Sequence, residues 1–474
     1  MVNELDLYTG TIVYKKIKFT FAFDKKELRL IPPENHKKTV EWEWGMKSIG
    51  PGIYTGRESV RIEDAFLIGK CNETKNSIVF FPREGSFLGF YNFIVIIPIV
   101  AYVICKKERD SVDRISFFCP EINYIHPVNQ VVSFPLSYDK FTGNGIISVS
   151  TKNFDATTTA KEQFLFEEKQ IVSYFGISRT VSSRISEPPL RADSCLFFEF
   201  EETTDYGFVF RLWRIARAFI RFLCYRKNIY MTKIELAAPA GEGKHETFAL
   251  MYMVEQNEKT ELETLLKGRY ITQAYIVGHE GEILTDIANN DLYLRHIPDT
   301  FHSGRHIDAS RFVMITAAFE WEFHRLYPDG VVKSEDTIQA EECVAEWIQN
   351  AIDSSVGKQK KIYKFLKRLV KSDSLESEII QMSKDFSGII GPFGERLYNM
   401  NGFELNYPEM GQRLSSQRNH FAHGDLDKDF IGASLLDLVF MEYVIYALQL
   451  KYYGVSEKNI QRSINELFHL SFAI

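Results

Sequence analysis

The chain has 474 residues, of which 45% are hydrophobic and 25% are charged, and its formal net charge is −7. This composition is typical of globular proteins, so intrinsic disorder is not expected, and the length predicts about two or three domains. Because the net charge is negative, a nucleic-acid partner would have to bind at a local basic patch.

The cysteines and the first residues bear on the compartment. The six cysteines include no Cys-x-x-Cys pair, which disfavours a zinc site and a disulfide framework alike. The N-terminal sequence lacks the basic start and the apolar run of a signal peptide. We therefore predict a cytoplasmic protein.

Residues 1–200 carry the signals of short β-strands. β-branched and aromatic residues dominate segments such as 17–21 and 78–81, and turns rich in glycine and asparagine separate such segments. This pattern predicts a β-rich N-terminal domain with an antiparallel fold that is sandwich-like or barrel-like.

One apolar segment, residues 93–105, could suggest a membrane span. It is 13 residues long and contains Pro98, whereas a spanning helix needs about 20 apolar residues. Its isoleucine and valine content and its central proline favour a pair of buried strands. We therefore expect no membrane partner.

Residues 201–303 mix helix and strand signals, and we predict an α/β extension of the N-terminal region. A helix starts near Tyr206, and strands are predicted at 229–236, 247–254 and 271–277. Opposite the apolar stripe of the helix lie four arginines, Arg211, Arg214, Arg217 and Arg221. They form either a solvated polar face or a surface that follows phosphates.

Residues 304–474 predict an all-α bundle of about 170 residues, which makes the fold class α+β multidomain. Apolar residues recur at helical spacing and strand signals nearly vanish. The predicted helices cover residues 310–326, 335–351, 358–371, 395–423 with an interruption at Pro408, 435–452 and 457–468.

The predicted helix at 358–371 has seven cations and no acidic residue. A solvated helix face and a contact with the RNA backbone explain such a run equally well. As an RNA-binding surface it would use Lys360, Lys361, Lys364, Lys367 and Arg368.

The segment Arg-Asn-His-Phe-Ala-His at 418–423 combines residue types suited to phosphodiester chemistry. Arginine donates paired hydrogen bonds to phosphate, and histidine exchanges protons near neutral pH. On a helix, Arg418 and His423 are about 140° apart and about 7.5 Å apart along the axis. Gly424 would let the chain unwind after His423, and Asn419 could orient either neighbour by hydrogen bonding.

RNA cleavage without a metal needs a base, an acid and a cation near the phosphate. One six-residue strip can hardly flank a phosphate from both sides, so we expect a second copy, related by a two-fold axis, to complete the site. Glu320 or Glu322, on the first helix of the bundle, could support the arginine or form a structural ion pair.

This segment resembles the signature of HEPN-superfamily ribonucleases, in which an arginine and a polar residue are followed by three variable residues and a histidine. The extended form, 418–425 before an apolar helix, is most similar to the ApeA-like subgroup, where a β-rich region precedes the HEPN bundle. The resemblance implies a metal-independent endoribonuclease that forms a homodimer or a higher homo-oligomer. It assigns catalysis to Arg418 and His423, support to Asn419 and an auxiliary position to His420.

The resemblance also implies a role in bacterial anti-phage defence by abortive infection, with transfer RNA as a candidate substrate and a phage-derived trigger. We expect no cofactor and no metal, since the His302 and His306 pair lacks the further ligands of a zinc site. The alternative is a non-catalytic protein that senses phage or binds RNA and uses the bundle for dimerisation. An arginine and a histidine near a helix end also occur by chance, because cations favour helix C-termini.

Overall fold

The chain forms two compact units in a computed structural model. The β unit comprises Met1–Leu223, Asn228–Leu262 and Glu280–Asn289, and the helical unit comprises Cys224–Lys227, Glu263–His279 and Asn290–Ile474. The structure describes residues 5–56, 59–83, 87–91, 94–109, 111–133, 136–138, 145–147, 150–188, 190–241, 243–254, 261–370, 373–422, 430 and 432–473.

The β unit contains the strands of the chain in its described part. The first ten are β1 (Tyr8–Tyr14), β2 (Ile17–Phe23), β3 (Glu27–Ile31), β4 (Met46–Gly50), β5 (Ile53–Gly56), β6 (Ser59–Arg61), β7 (Leu67–Cys71), β8 (Ser77–Pro82), β9 (Phe87–Tyr91) and β10 (Ile94–Cys105). The others are β11 (Val112–Phe118), β12 (Val132–Ser133), β13 (Leu136–Tyr138), β14 (Gly145–Ile147), β15 (Ser150–Thr151), β16 (Glu162–Phe166), β17 (Lys169–Val181), β18 (Leu190–Thr203), β19 (Lys233–Pro239) and β20 (His245–Met253).

Six of these strands close into an antiparallel ring. The order is β10-β3-β2-β1-β7-β8, and β8 pairs back onto β10. Burial alternates along β2, so that Phe19, Phe21 and Phe23 point into the core of the ring. The β-rich N-terminal region is confirmed, and the ring is the barrel-like alternative rather than the sandwich-like one.

The sheet continues from β10 through β20, β19, β11, β18, β17 and β16. Strands β19 and β20 belong to the range 201–303, so that range contributes to the same sheet as residues 1–200. Helices α1 (Lys37–Gly45), α2 (Ile122–Ile125), α3 (Tyr206–Cys224), α4 (Leu262–Leu266) and α5 (Glu280–Asn289) accompany the strands in sequence.

The described part of the apolar segment, residues Ile94–Cys105, forms one strand, β10, rather than the predicted pair. Its first half pairs with β3 and β9 and its second half with β8 and β20, and the register with β8 shifts between Ile99 and Ala101. Pro98, which lacks an N–H, lies where the partners change, so the proline is tolerated without ending the strand. Among the helices that the structure describes, none combines the length and the apolarity needed to cross a bilayer.

Helix α3 confirms the helix predicted from Tyr206. Arg211 forms an ion pair with Glu167 at 2.7 Å, and Arg217 Nε donates to the Ile229 carbonyl at 3.0 Å. These contacts favour the polar-face interpretation over a phosphate-binding one.

The prediction of a strand at residues 271–277 is wrong. Residues Gln273–Tyr275 form a 3-10 turn, and Gly268 and Gly278, both with positive φ, lie on either side of it. Ile271 and Ile276 are both buried, but their spacing of five residues suits a turn and not the two-residue alternation of a strand.

The helical unit contains α6 (Ala309–Leu326), α7 (Glu335–Ser354), α8 (Gly357–Val370), α9 (Leu375–Met400), α10 (Tyr407–Ala422), α11 (Ser434–Tyr452) and α12 (Glu457–Leu467). Helix α11 is apolar on nearly all sides and packs against α6, α9, α10 and α12. The all-α character of this region is therefore confirmed.

The interruption predicted at Pro408 is misplaced. Helices α9 and α10 are separate and the break lies at residues 401–406, whereas Pro408 occupies the first turn of α10, where a missing N–H costs nothing. Helix α9 also begins twenty residues earlier than predicted, because Gly388, Gly391, Pro392 and Gly394 hide its helical pattern.

Candidate active site

Helix α10 holds Arg418 in a fixed position near its C-terminal end. Met410, Leu414 and Phe421 are buried on its inner face, and the Phe421 ring packs edge-on against Phe312 of α6, with 5.2 Å between centroids. At the other end, a Cβ on Gly411 would lie 2.7 Å from the Glu376 Cα, so a glycine there lets α10 approach α9 closely.

The Arg418 guanidinium forms an ion pair with the Glu320 carboxylate of α6. Their side chains are 37% and 24% exposed, so the pair lies at the surface of the bundle. Glu320 is therefore the glutamate that contacts the arginine.

Glu322, the other glutamate considered from the sequence, has a structural role. Its carboxylate pairs with Arg325 and accepts from the Tyr293 backbone N–H at 2.8 Å and from Gln449 at 3.1 Å. The side chain is buried.

An acid–histidine pair, which the sequence reasoning missed, lies beside the Arg418–Glu320 ion pair. Glu378 of α9 is buried, and its Oε1 is 3.3 Å from Nε2 of His324 on α6, whose side chain is 55% exposed. The other carboxylate oxygen of Glu378 has no hydrogen-bond partner among the described residues. The spacing of Glu320 and His324, one helical turn apart, was the signal available in the sequence.

Burial raises the pKa of Glu378 to about 8, and the negative charges of Glu320 and Asp373 add to the effect, while Arg418 opposes it. Glu378 is therefore mostly protonated at neutral pH. The charges of Glu320, Asp373 and Arg418 therefore act on one carboxyl group, which also contacts His324.

The remaining residues of the signature are only partly described. Asn419 is exposed and His420 is half-buried on the last turn of α10. Within the described residues no hydrogen bond joins Asn419 to Arg418. His423 and Gly424 lie outside the described residues. The position of the His423 side chain relative to Arg418 and the unwinding of the chain at Gly424 therefore stay predictions.

Helix α8, which carries the run of lysines, does not pack against Arg418 in the structure. Helix α8 packs mainly on α7, whereas α10 packs on α6, α9 and α11. Lys361, Lys364 and Arg368 are exposed, Lys360 is half-buried, and Lys367 donates to Gln349 of α7 at 2.6 Å. The RNA-binding assignment of these side chains stays a prediction.

No group of three or more histidine, cysteine or acidic side chains in the described part of the chain is arranged to hold a metal ion. Comparisons of the chain with protein-family models, with curated proteins and with solved structures found no match.

Proposed function

We propose that the chain is a metal-independent endoribonuclease whose active site lies at the end of α10. The observation that supports the proposal is a cation, Arg418, held at the surface by Glu320 beside a histidine that faces solvent, His324. Arginine has five N–H donors, so a carboxylate on one of them leaves others for a phosphate.

In the proposed reaction the ribose 2′-oxygen attacks phosphorus and the bond to the 5′-oxygen breaks. A base takes the proton of the 2′-hydroxyl, an acid protonates the leaving 5′-oxygen, and Arg418 stabilises the charge that develops on the phosphate. The products are a 2′,3′-cyclic phosphate and a 5′-hydroxyl.

His423 is the first candidate for proton transfer, with Asn419 in support and His420 as an auxiliary group. The second is His324, whose Nε2 lies 3.3 Å from the carboxyl group of the buried Glu378. His324 would supply one of the two proton-transfer roles from the same chain as Arg418, and a second copy would supply the other.

The biological setting is part of the proposal and rests on the resemblance to ApeA-like HEPN proteins. In that setting the β unit receives a phage-derived trigger, and the helical unit cleaves RNA, with transfer RNA as the first candidate, so that infection is aborted.

The test is sequencing of RNA ends from cells that express the wild type, Arg418→Ala or His423→Ala, with and without phage infection. New 5′-hydroxyl ends are expected for the wild type alone. Arg396→Ala, an exposed arginine on α9 that donates to the Leu470 carbonyl at 3.1 Å, is the matched control and should cleave normally.

Cleavage by purified protein should persist in EDTA, and activity lost in chelator and restored by a metal would refute the mechanism. Protein that never cleaves RNA, even in extracts of infected cells, would support the alternative of a non-catalytic sensor that dimerises through its bundle.

A further inference from the structure

Helices α7 and α8 form an antiparallel hairpin whose apolar residues are poorly covered. No residue of α8 is buried, although its sequence is strongly amphipathic. Ile362, Phe365 and Leu366, spaced as one helical stripe, are 59%, 60% and 39% exposed. Such a stripe normally faces a core, so this one lacks a cover within the part of the chain that the structure describes.

Helix α7 adds to the same surface. It buries Ala345, Ile348 and Ile352, while Val344 and Trp347 are 45% and 67% exposed. Counting about 100° per residue from the face that each helix turns to the other, the exposed apolar residues of α7 and α8 lie on the same side of the hairpin. We call this side the hairpin face.

The base of the hairpin is fixed. Lys333, just before α7, forms ion pairs with Glu341 at 2.9 Å and with Asp373 at 3.1 Å, and Asp373 also accepts from the Val331 backbone N–H at 2.9 Å. The hairpin face is therefore presented in a defined position.

The area of the hairpin face is that of a large apolar surface patch, and such patches are often functional. Its five exposed apolar side chains present on the order of 500 Å², which is near the upper limit for a patch on a monomer. A standard interface buries about 800 Å² on each partner, so these side chains would form the centre of one, with a polar rim.

The charges of the hairpin select its partner. Helix α7 carries six acidic residues and no basic one, and α8 carries six basic residues and no acidic one. The hairpin is neutral overall, so two copies do not repel each other. An anionic membrane or an RNA would attract α8 and repel α7 at the same time.

We propose that the hairpin face docks on the hairpin face of a second copy of this chain and completes a four-helix bundle. In this bundle α7 of each copy lies on α8 of the other, because acidic and basic helices then alternate around the bundle. The opposite arrangement would place α7 on α7 and bring like charges together. This proposal does not depend on the ribonuclease activity.

The test measures the mass of the purified full chain by light scattering and by sedimentation between about 1 and 50 μM, a range that brackets micromolar association. The wild type is expected to be a dimer at the upper concentrations. Trp347→Ser with Phe365→Ser should weaken association at least about a hundredfold, since two large apolar contacts are lost. Met400→Ser, which removes an exposed apolar side chain from the end of α9, should leave association unchanged.

A wild type that stays monomeric at 50 μM, or a dimer that the double substitution leaves intact with an unchanged circular dichroism spectrum, overturns the proposal. So does a monomeric wild type that binds anionic vesicles or RNA through the hairpin face.

The pairing of the helices is tested by disulfide cross-linking in a Cys343→Ser background, since Cys343 is the exposed cysteine among those described. Mixed copies, one with Val344→Cys and one with Leu366→Cys, should cross-link to each other. Cross-links that form only between two Val344→Cys copies would overturn the proposed pairing.

Discussion

Substitution of Glu378 by glutamine should stabilise the chain in a manner that depends on pH. The pKa of Glu378 is about 8 in the folded chain, against an ordinary value of 4.5, and the side chain is 3% exposed. Since one pKa unit corresponds to about 1.4 kcal/mol, the ionised carboxylate costs up to about 5 kcal/mol, an upper value that relaxation reduces.

The sign follows from the proton count of the two states. Between pH 4.5 and about 8 the unfolded chain releases the proton of Glu378 and the folded chain keeps it, so the stability of the wild type falls as pH rises. Below this window both states bind the proton and Glu378→Gln changes little. At pH 7 the gain from the substitution is about 3 kcal/mol, and it levels off above pH 8.

The measurement is urea unfolding of the wild type and of Glu378→Gln at a series of pH values from about 4 to 9, which spans the titration window. Groups that face Glu378 are His324, Glu320, Asp373 and Arg418, and they remain in both proteins. Glu395→Gln, on the exposed side of the same helix, should change stability by less than about 0.5 kcal/mol at every pH. A difference in unfolding free energy between the wild type and Glu378→Gln that stays the same at every pH would refute this reasoning.

Three further predictions concern the position and chemistry of Arg418. Arg418→Lys keeps the charge but loses the planar fork, so RNA cleavage should fall about a hundredfold while urea stability stays within about 1 kcal/mol. Phe421→Ala should lower the unfolding free energy by about 3 kcal/mol in urea, and Phe403→Ala, at a half-exposed position, by less than about 1 kcal/mol. Gly411→Val should cost at least about 2 kcal/mol because its Cβ would meet the Glu376 backbone, whereas Gly388→Ala, with open space around it, should stabilise the helix by about 0.5 kcal/mol, both measured by thermal unfolding.

The secondary structure could be predicted in segments where the apolar residues recur with a single period. The two-residue alternation of β1 and β2 and the helical period of α3 and α6 each reflect a single buried face. What could not be predicted is closure of the ring, because the pairing of β8 with β10 depends on contacts between residues distant in the sequence.

The candidate site was predictable only in part. Arg418 and Glu320 could be proposed because each stands beside an apolar stripe, and the structure joins them. Glu378 was missed because three glycines and Pro392 obscured α9, so its N-terminal half was not predicted as a helix. A buried acid is recognised by its surroundings, and these are set by packing between helices rather than by spacing along one of them.

The ring of strands also has a consequence for aggregation. Closure of β8 onto β10 leaves β16 as the free end of the main path of the sheet, and an uncovered strand edge can template pairing between chains. Helix α5 covers β16: the Gly281 N–H donates to Glu162 at 2.8 Å, and Thr285 Oγ1 accepts from the Leu165 backbone N–H at 3.4 Å. A chain that lost α5 would therefore expose the edge of β16 as a template for pairing. We expect such a chain to form insoluble aggregates before its strand content falls.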